Sequence, residues 1–148
     1  MSDQRRIQSF GEFWGHYLSE HRDVRSRRLH VAGTGLFSAV LLGCLLAHPV
    51  RMGSCLIAAV VVAFLARKIE ARRRALRESL AIVALLVIGS PWVLAGIACA
   101  YGCAWVGHFL IEHNRPATFR YPLWSLLGDF RMVGWMLMGR MDGHRTRL

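Results

Sequence analysis

The feature that most constrains the fold is an uncharged apolar run at residues 31–47, VAGTGLFSAVLLGCLLA. Its length is close to one crossing of a bilayer, whose hydrocarbon core takes about 20 residues of helix. The whole chain is 54% hydrophobic and has a positive mean hydropathy, which is unusual for a small water-soluble domain. We therefore expect an integral membrane protein.

Three further apolar segments follow the first one. We predict about four transmembrane helices, at residues 31–47, 53–66, 79–90 and 92–111. The second and third segments are short for a bilayer, so they must tilt, lengthen into their flanks or thin the membrane. A competing interpretation joins the last two into one helix kinked at Pro91. Such a helix would extend roughly 50 Å, well beyond the hydrocarbon thickness.

The predicted fold is all-α, with a single membrane domain over residues 1–148. Residues 1–30 form a cytoplasmic N-terminal segment, residues 31–111 the transmembrane helices, and residues 112–148 a cytoplasmic C-terminal segment. The last of these contains the apolar but interrupted stretch YPLWSLLGDFRMVGWMLMGR. This pattern favours a helix in the membrane interface, with Trp124 and Trp135 at headgroup depth, over a fifth span.

Basic residues give the chain a net charge of +10, and their positions carry information about topology. Six lie in residues 1–30, six in residues 67–78 and six from Arg115 to the C-terminus, and only Arg51 lies elsewhere. Basic residues beside short spans remain on the cytoplasmic side. Four crossings with both termini in the cytoplasm agree with this distribution, whereas nucleic-acid binding would need a continuous basic soluble face.

Polar residues at the ends of the apolar region are candidates for chemistry. His108 and Glu112 are four residues apart, so on a helix their side chains lie on one face. His21 and His30 precede the first span. With four crossings these four residues meet at the cytoplasmic membrane edge, whereas three crossings would put His108 on the opposite side. Three imidazoles and a carboxylate suit Fe(II) or Zn(II) with open coordination positions.

The same residues have simpler explanations. A histidine near a helix end is often an interfacial hydrogen-bonding residue. Glu112 can pair with Arg115 three residues later, although an ionisable group in an apolar span is a functional candidate. The residues alone leave open a metal enzyme, including a zinc hydrolase, a bis-histidine haem protein, and a non-catalytic membrane lipid-binding or scaffold protein.

Two blocks of the sequence resemble a known membrane family. FWGHYLSEHRDVRSRRLHVAGT precedes and enters the first span, and WVGHFLIEHNRPATFRYPLWSLLGDFRM closes the last one. Together they resemble the two signature blocks of the family typified by the fungal endoplasmic-reticulum 2-hydroxy-fatty-acid dioxygenase, and its bacterial branch in particular. The matching residues are Tyr17, His21, His30, Gly107, His108, Glu112, Arg115, Pro116 and Ala117.

The resemblance implies an Fe(II)-dependent dioxygenase that uses molecular oxygen to shorten a 2-hydroxy fatty acid by one carbon, the reaction called alpha-oxidation. It carries over His21, His30 and His108 as iron ligands, with Glu112 as either a further ligand or a residue that orients a histidine. The bacterial branch implies a location in the bacterial inner membrane.

Polar residues beside these motifs are candidates for binding the substrate. A 2-hydroxy acid can chelate iron through its hydroxyl and carboxylate, with its acyl tail among the helices. Arg115 is a candidate to bind the carboxylate or to pair with Glu112, because a guanidinium matches a carboxylate in bidentate geometry. Asn114 is a candidate to donate nearby hydrogen bonds, and Asp129 to orient a ligand. The histidines expected to be bystanders are His16, His48, His113 and His144.

Overall fold

The computed structural model describes residues 6–141, and these residues form helices and connecting loops without a strand. The helices are α1 (Phe10–Glu20), α2 (Val24–Ala47), α3 (Pro49–Ala66), α4 (Leu76–Gly89), α5 (Val93–Trp105) and α6 (Pro122–Leu137). A π-helical turn, Val106–Glu112, continues α5, and a short 3-10 helix, Ala117–Phe119, leads towards α6. The predicted all-α fold is confirmed. His144 lies outside the described residues.

The helix boundaries follow from local sequence signals. Ser9 and Asp23 cap α1 and α2, each with a side-chain oxygen that accepts a backbone N–H of the first turn, because those N–H groups have no acceptor within the helix. Pro49 and Pro122 begin α3 and α6, where a missing N–H costs nothing. Pro91 lies in the break between α4 and α5, so the single kinked helix is not formed.

Within residues 6–141, three helices are long and apolar enough to cross a membrane: α2, α3, and the continuous helix Val93–Glu112 formed by α5 and the π-helical turn. The predicted third segment is α4, which has 14 residues and packs along α3. The four helices α2 to α5 run alternately up and down. The first span begins at residue 24 rather than 31, because the stretch VRSRRLH forms the first two turns of α2.

The outer faces of these helices are apolar and exposed. The largest exposed side chains include Leu46, Val50, Ile57, Phe64, Leu80, Ile88 and Leu110. A water-soluble monomer rarely exposes so extensive an apolar surface. The outward faces therefore have the composition expected of helices in contact with lipid.

Glycines bring α2 and α5 close together. A Cβ placed on Gly33 would lie 2.9 Å from the Cβ of Cys103, and one on Gly107 would lie 2.9 Å from Ser26 Oγ. Small residues at such positions let helix backbones approach closely within a membrane. Because the two helices are antiparallel, this packing brings the beginning of α2 to the end of α5.

A second layer, formed by α1 and α6, covers this end of the bundle. Its interior is a cluster of buried aromatic side chains, which comprises Phe13, Trp14, Tyr17, Tyr121 and Trp124. The ring of Trp124 is stacked on that of Tyr121 and is only 3% exposed. Aromatic packing between α1 and α6 thus buries Trp124 within the protein, and its depth relative to the headgroups stays a prediction.

One buried carboxylate anchors the loop between α3 and α4 to this layer. Glu70 Oε1 accepts the N–H of Leu123 at 3.0 Å, and Oε2 accepts the N–H of Trp124 at 2.7 Å. A residue from a distant part of the chain thus caps the beginning of α6. Burial raises the pKa of Glu70 to about 7, against the opposing effect of these two hydrogen bonds.

The glycine packing gives a first testable prediction. Gly33→Ala should destabilise the protein by about 1–3 kcal/mol, because the added methyl group has no room against α5. Gly35→Ala is the matched control on the same helix, since a Cβ there meets nothing within 4 Å. Thermal unfolding in detergent, followed by circular dichroism, measures both. Equal midpoints for the two variants would contradict the proposed close contact.

The Glu70 carboxyl group gives a prediction about pH. Its pKa in the folded protein is raised from 4.5 to about 7, so the folded state binds more protons between these values than the unfolded state. The contribution of Glu70 to stability is therefore full below pH 4.5 and is lost as the pH rises through 7. Glu70→Gln removes this titration, and the stability of the variant relative to the wild type should rise with pH. A constant difference between the two proteins across this range would contradict the prediction.

Candidate metal centre

Three buried histidines meet where α1, α2 and the end of α5 converge. His21 lies at the end of α1, His30 lies in the second turn of α2, and His108 lies in the π-helical turn. One ligand nitrogen from each ring lies within 4.8 Å of the others, and the Nε2 atoms of His21 and His30 are 3.1 Å apart. The sequence prediction that these three residues share one end of the bundle agrees with this geometry.

Local backbone structure sets the position of His108. The helix widens from α to π at Val106 and ends at His113, whose φ of 53° is left-handed and whose N–H donates to the carbonyl of His108. Single π-helical turns are frequent at functional sites, because the extra residue reorients the side chains. The preceding Gly107 has no side chain and so leaves room for α2. The turn therefore places the imidazole of His108 against those of His21 and His30.

The Nδ1 atoms of the first two histidines are held by oxygen acceptors. His21 Nδ1 donates to the carbonyl of Tyr17 at 2.7 Å, and His30 Nδ1 donates to Asp129 Oδ1 at 2.8 Å. Both partners accept only, so the proton lies on Nδ1 in each ring. The Nε2 atoms therefore carry the lone pairs.

The third histidine is held in the same way by an amide. His108 Nδ1 lies 2.7 Å from Asn114 Oδ1. The amide is oriented by its other end, because Asn114 Nδ2 donates to the carbonyl of Glu20 at 2.8 Å. The Asn114 oxygen therefore accepts from Nδ1, and Nε2 of His108 is also left with a lone pair.

This arrangement fits a metal ion. With Nδ1 of both rings already donating, His21 Nε2 and His30 Nε2 would direct two lone pairs at each other across 3.1 Å. Such a contact is repulsive unless the two nitrogens share a proton or bind the same metal ion. Metal-binding histidines typically donate the other ring nitrogen to a carboxylate or carbonyl oxygen, which fixes the tautomer and ring orientation. Three such ligands leave coordination positions open for a substrate.

Tyr17 and Asp129 support the centre from one side. The Tyr17 ring stacks on His21 with 4.1 Å between ring centroids, and its hydroxyl donates to Asp129 Oδ1. Burial raises the pKa of Tyr17 well above its usual value, and the Asp129 charge adds to the effect. Burial also lowers the pKa of His21, with the neighbouring His30 as the next cause. The tyrosine thus keeps its proton, and the neutral form of His21 is favoured.

The other predicted site residues lie beside the three histidines rather than among them. Glu112 Oε1 accepts the backbone N–H of Asp23 at 2.8 Å and so holds the link between α1 and α2. Arg115 is exposed just after the π-helical turn. Asn114 bonds to His108 and to a main-chain carbonyl, and its predicted binding of substrate stays a prediction.

A cavity leads from the histidines into the space between α2, α4 and α5. Its head is polar and includes Thr34, Ser125 and Asp129 beside the three imidazoles, and its deeper walls are apolar. The Ser125 hydroxyl is buried and has no hydrogen-bond partner among the described residues. Sequence reasoning missed Thr34 and Ser125. The available signal was spacing, since each lies one helical turn from His30 or Asp129 on the same face.

The comparisons with known proteins agree with the geometry. A family model described as "2-hydroxy-palmitic acid dioxygenase Mpo1-like" matches residues 7–141. No curated protein and no solved structure matches the chain. The matched region contains every helix and all three clustered histidines. The chain therefore belongs to the Mpo1-like family.

Proposed function

We propose that this protein is a membrane-embedded, Fe(II)-dependent dioxygenase that shortens 2-hydroxy fatty acids by one carbon. The observation that carries the proposal is the set of three buried imidazoles, His21, His30 and His108, each held through Nδ1 at the head of an apolar cavity. Three nitrogen ligands suit zinc as well as iron. The description of the family names a dioxygenase and a 2-hydroxy acid, and iron, unlike zinc, is a redox-active metal that can activate oxygen.

The polarity of the cavity matches that of such a substrate. A 2-hydroxy fatty acid has a carboxylate and a hydroxyl at one end and an acyl chain at the other. In the proposed complex the polar end lies beside the histidines, where the Ser125 hydroxyl is free to donate and Thr34 lies one turn from His30. The acyl chain extends along the apolar walls. Arg115 remains a predicted carboxylate-binding residue at the exposed end of the π-helical turn.

The protein's own residues have distinct tasks in this proposal. Fe(II), when bound, supplies the activation of molecular oxygen that the reaction requires. Asp129 and Asn114 orient their histidines and increase the basicity of the ligand nitrogens. Tyr17 fixes the Asp129 carboxylate and covers one face of His21. The aromatic layer of α1 and α6 keeps bulk water from this side of the site.

Glu112 has a positioning role in this proposal. Its hydrogen bond to the Asp23 N–H holds the link that carries His21 towards His30. Direct ligation by its carboxylate stays a prediction.

We further propose that the histidine end faces the cytoplasm of a bacterium, with the protein in the inner membrane. The N-terminal segment, the arginine-rich loop 67–75 and α6 all lie at this end. Basic residues that flank short spans remain on the cytoplasmic side.

Metal analysis and oxygen consumption test the proposed activity together. Protein purified anaerobically should contain about one iron per chain, and with 2-hydroxypalmitic acid it should consume oxygen and release a fatty acid one carbon shorter. His108→Ala should lose both the iron and the turnover while it keeps its helical circular dichroism. His48→Ala is the matched control, because His48 lies in the turn at the opposite end of α2. Iron-loaded wild-type protein that leaves the substrate unchanged would overturn the proposal.

Asp129→Asn tests the support of the metal centre. The amide removes the negative charge that faces His30 Nδ1, so the affinity for Fe(II) should fall by about 10–100-fold, the usual effect of losing such a partner. Competition with a chelator of known affinity measures the change. Glu78→Gln is a control that removes an exposed carboxylate paired with Arg73, and it should leave the affinity unchanged. Equal affinities in the two variants would show that Asp129 does not support the metal.

A further inference from the structure

The packing of α2 on α5 determines which residues of the two helices face each other across the cavity. It therefore also determines how deep the cavity is. On α2 the lining runs from His30 through Thr34 to Phe37. On the opposite wall it runs from His108 down α5 to Ile97. Phe37 and Ile97 lie at the same level, since a Cβ on the adjacent Gly96 would lie 3.3 Å from the Phe37 ring.

Three apolar side chains, one from each surrounding helix, line the deep end of the cavity, which we call its floor. Phe37 and Ile97 are the deepest lining residues of α2 and α5, and Leu86 is the deepest of α4. Leu86 is buried in the bundle core, and Phe37 and Ile97 pack against that core. Below this level α2 lies in close contact with Gly96, and this contact leaves no room between α2 and α5.

The distance from the histidines to this floor differs between the two walls and, along α5, approaches the length of one lipid chain. The wall from Ile97 to His108 covers eleven residues, or roughly 16 Å at the rise of an α-helix. Half of the hydrocarbon core of a bilayer, which is the depth of one lipid chain, is about 15 Å. On α2 the distance from His30 to Phe37 is shorter, roughly 10 Å.

We propose that this cavity is the acyl-chain subsite and that Phe37, Leu86 and Ile97 select substrates by chain length. The proposal rests on the proposed function, because it places the polar end of a 2-hydroxy fatty acid at the histidines. The chain then extends towards the floor, between α4 and α5. These two helices touch each other much less than α2 touches α5, so the gap between them gives the chain a lateral path from lipid.

Burial of apolar surface predicts how affinity depends on chain length. Each methylene that enters the cavity should strengthen binding about fourfold. Once the chain reaches the floor, the next methylene has no space, and the affinity should stop rising or fall. We call this point the break in the dependence of affinity on chain length. The chain length at the break measures the depth of the cavity, and a substitution at the floor should change that chain length.

The experiment measures binding without turnover. Full-length protein in detergent is kept anaerobic, and a homologous series of 2-hydroxy fatty acids competes with a fluorescent fatty acid. Phe37→Ala lowers the floor and should move the break to longer chains, with about a fourfold gain for each methylene newly accommodated. Ala100→Leu fills the middle of the α5 wall and should move the break to shorter chains. Leu45→Ala is the control, because Leu45 packs in the bundle core deeper along α2 than the cavity reaches.

The outcomes separate the subsite from the proposed reaction. A break that moves in opposite directions in Phe37→Ala and Ala100→Leu, and stays in place in Leu45→Ala, supports the subsite even if iron and oxygen consumption are absent. A break that stays in place in both cavity variants, or a wild-type affinity that does not depend on chain length, overturns it even if the enzyme turns over. Phe37→Leu, a smaller change, replaces Phe37→Ala if that variant does not fold, and the same shift is then required.

Discussion

The close packing of α2 against α5 is the constraint on which the rest of the structure depends. Gly33, Gly96 and Gly107 leave no space for a side chain between the two helices, and this contact fixes their relative axial position. A slip of one residue would move one helix by about 1.5 Å along the other. The ligand nitrogens of His30 and His108 share a site only 4.8 Å across. The same contact leaves no room between α2 and α5 below the cavity.

The layer formed by α1 and α6 supplies the residues of the candidate site that α2 and α5 do not. It contributes His21 directly, and it contributes Tyr17 and Asp129 to hold the ligands. Glu70 anchors this layer to the bundle by capping α6 from the loop between α3 and α4. Buried polar groups are tolerated here because they are paired with one another.

Much of the fold and part of the candidate site were predictable from the sequence. Apolar runs predicted four helices, and the residues and family motifs predicted the grouping of His21, His30 and His108. The partners of these residues were predictable only in part: Asp129 was a candidate to orient a ligand, but the histidine that it contacts was not predictable. Asp129 bonds to His30, 99 positions away, and the side-chain oxygen of Asn114 bonds to His108. Hydrogen-bond partners so far apart in sequence depend on how whole helices pack, and residue spacing does not encode that.

The sequence by itself determined that this chain is helical, apolar enough for a membrane, and a member of a family with histidines at both ends of its apolar region. These properties follow from composition and from short motifs, which act locally. Only the tertiary structure decided that three Nε2 atoms face one another, that Trp124 is buried, and that an apolar cavity begins at the imidazoles. Each of these depends on the distance between separate helices, which side-chain packing sets to within an ångström.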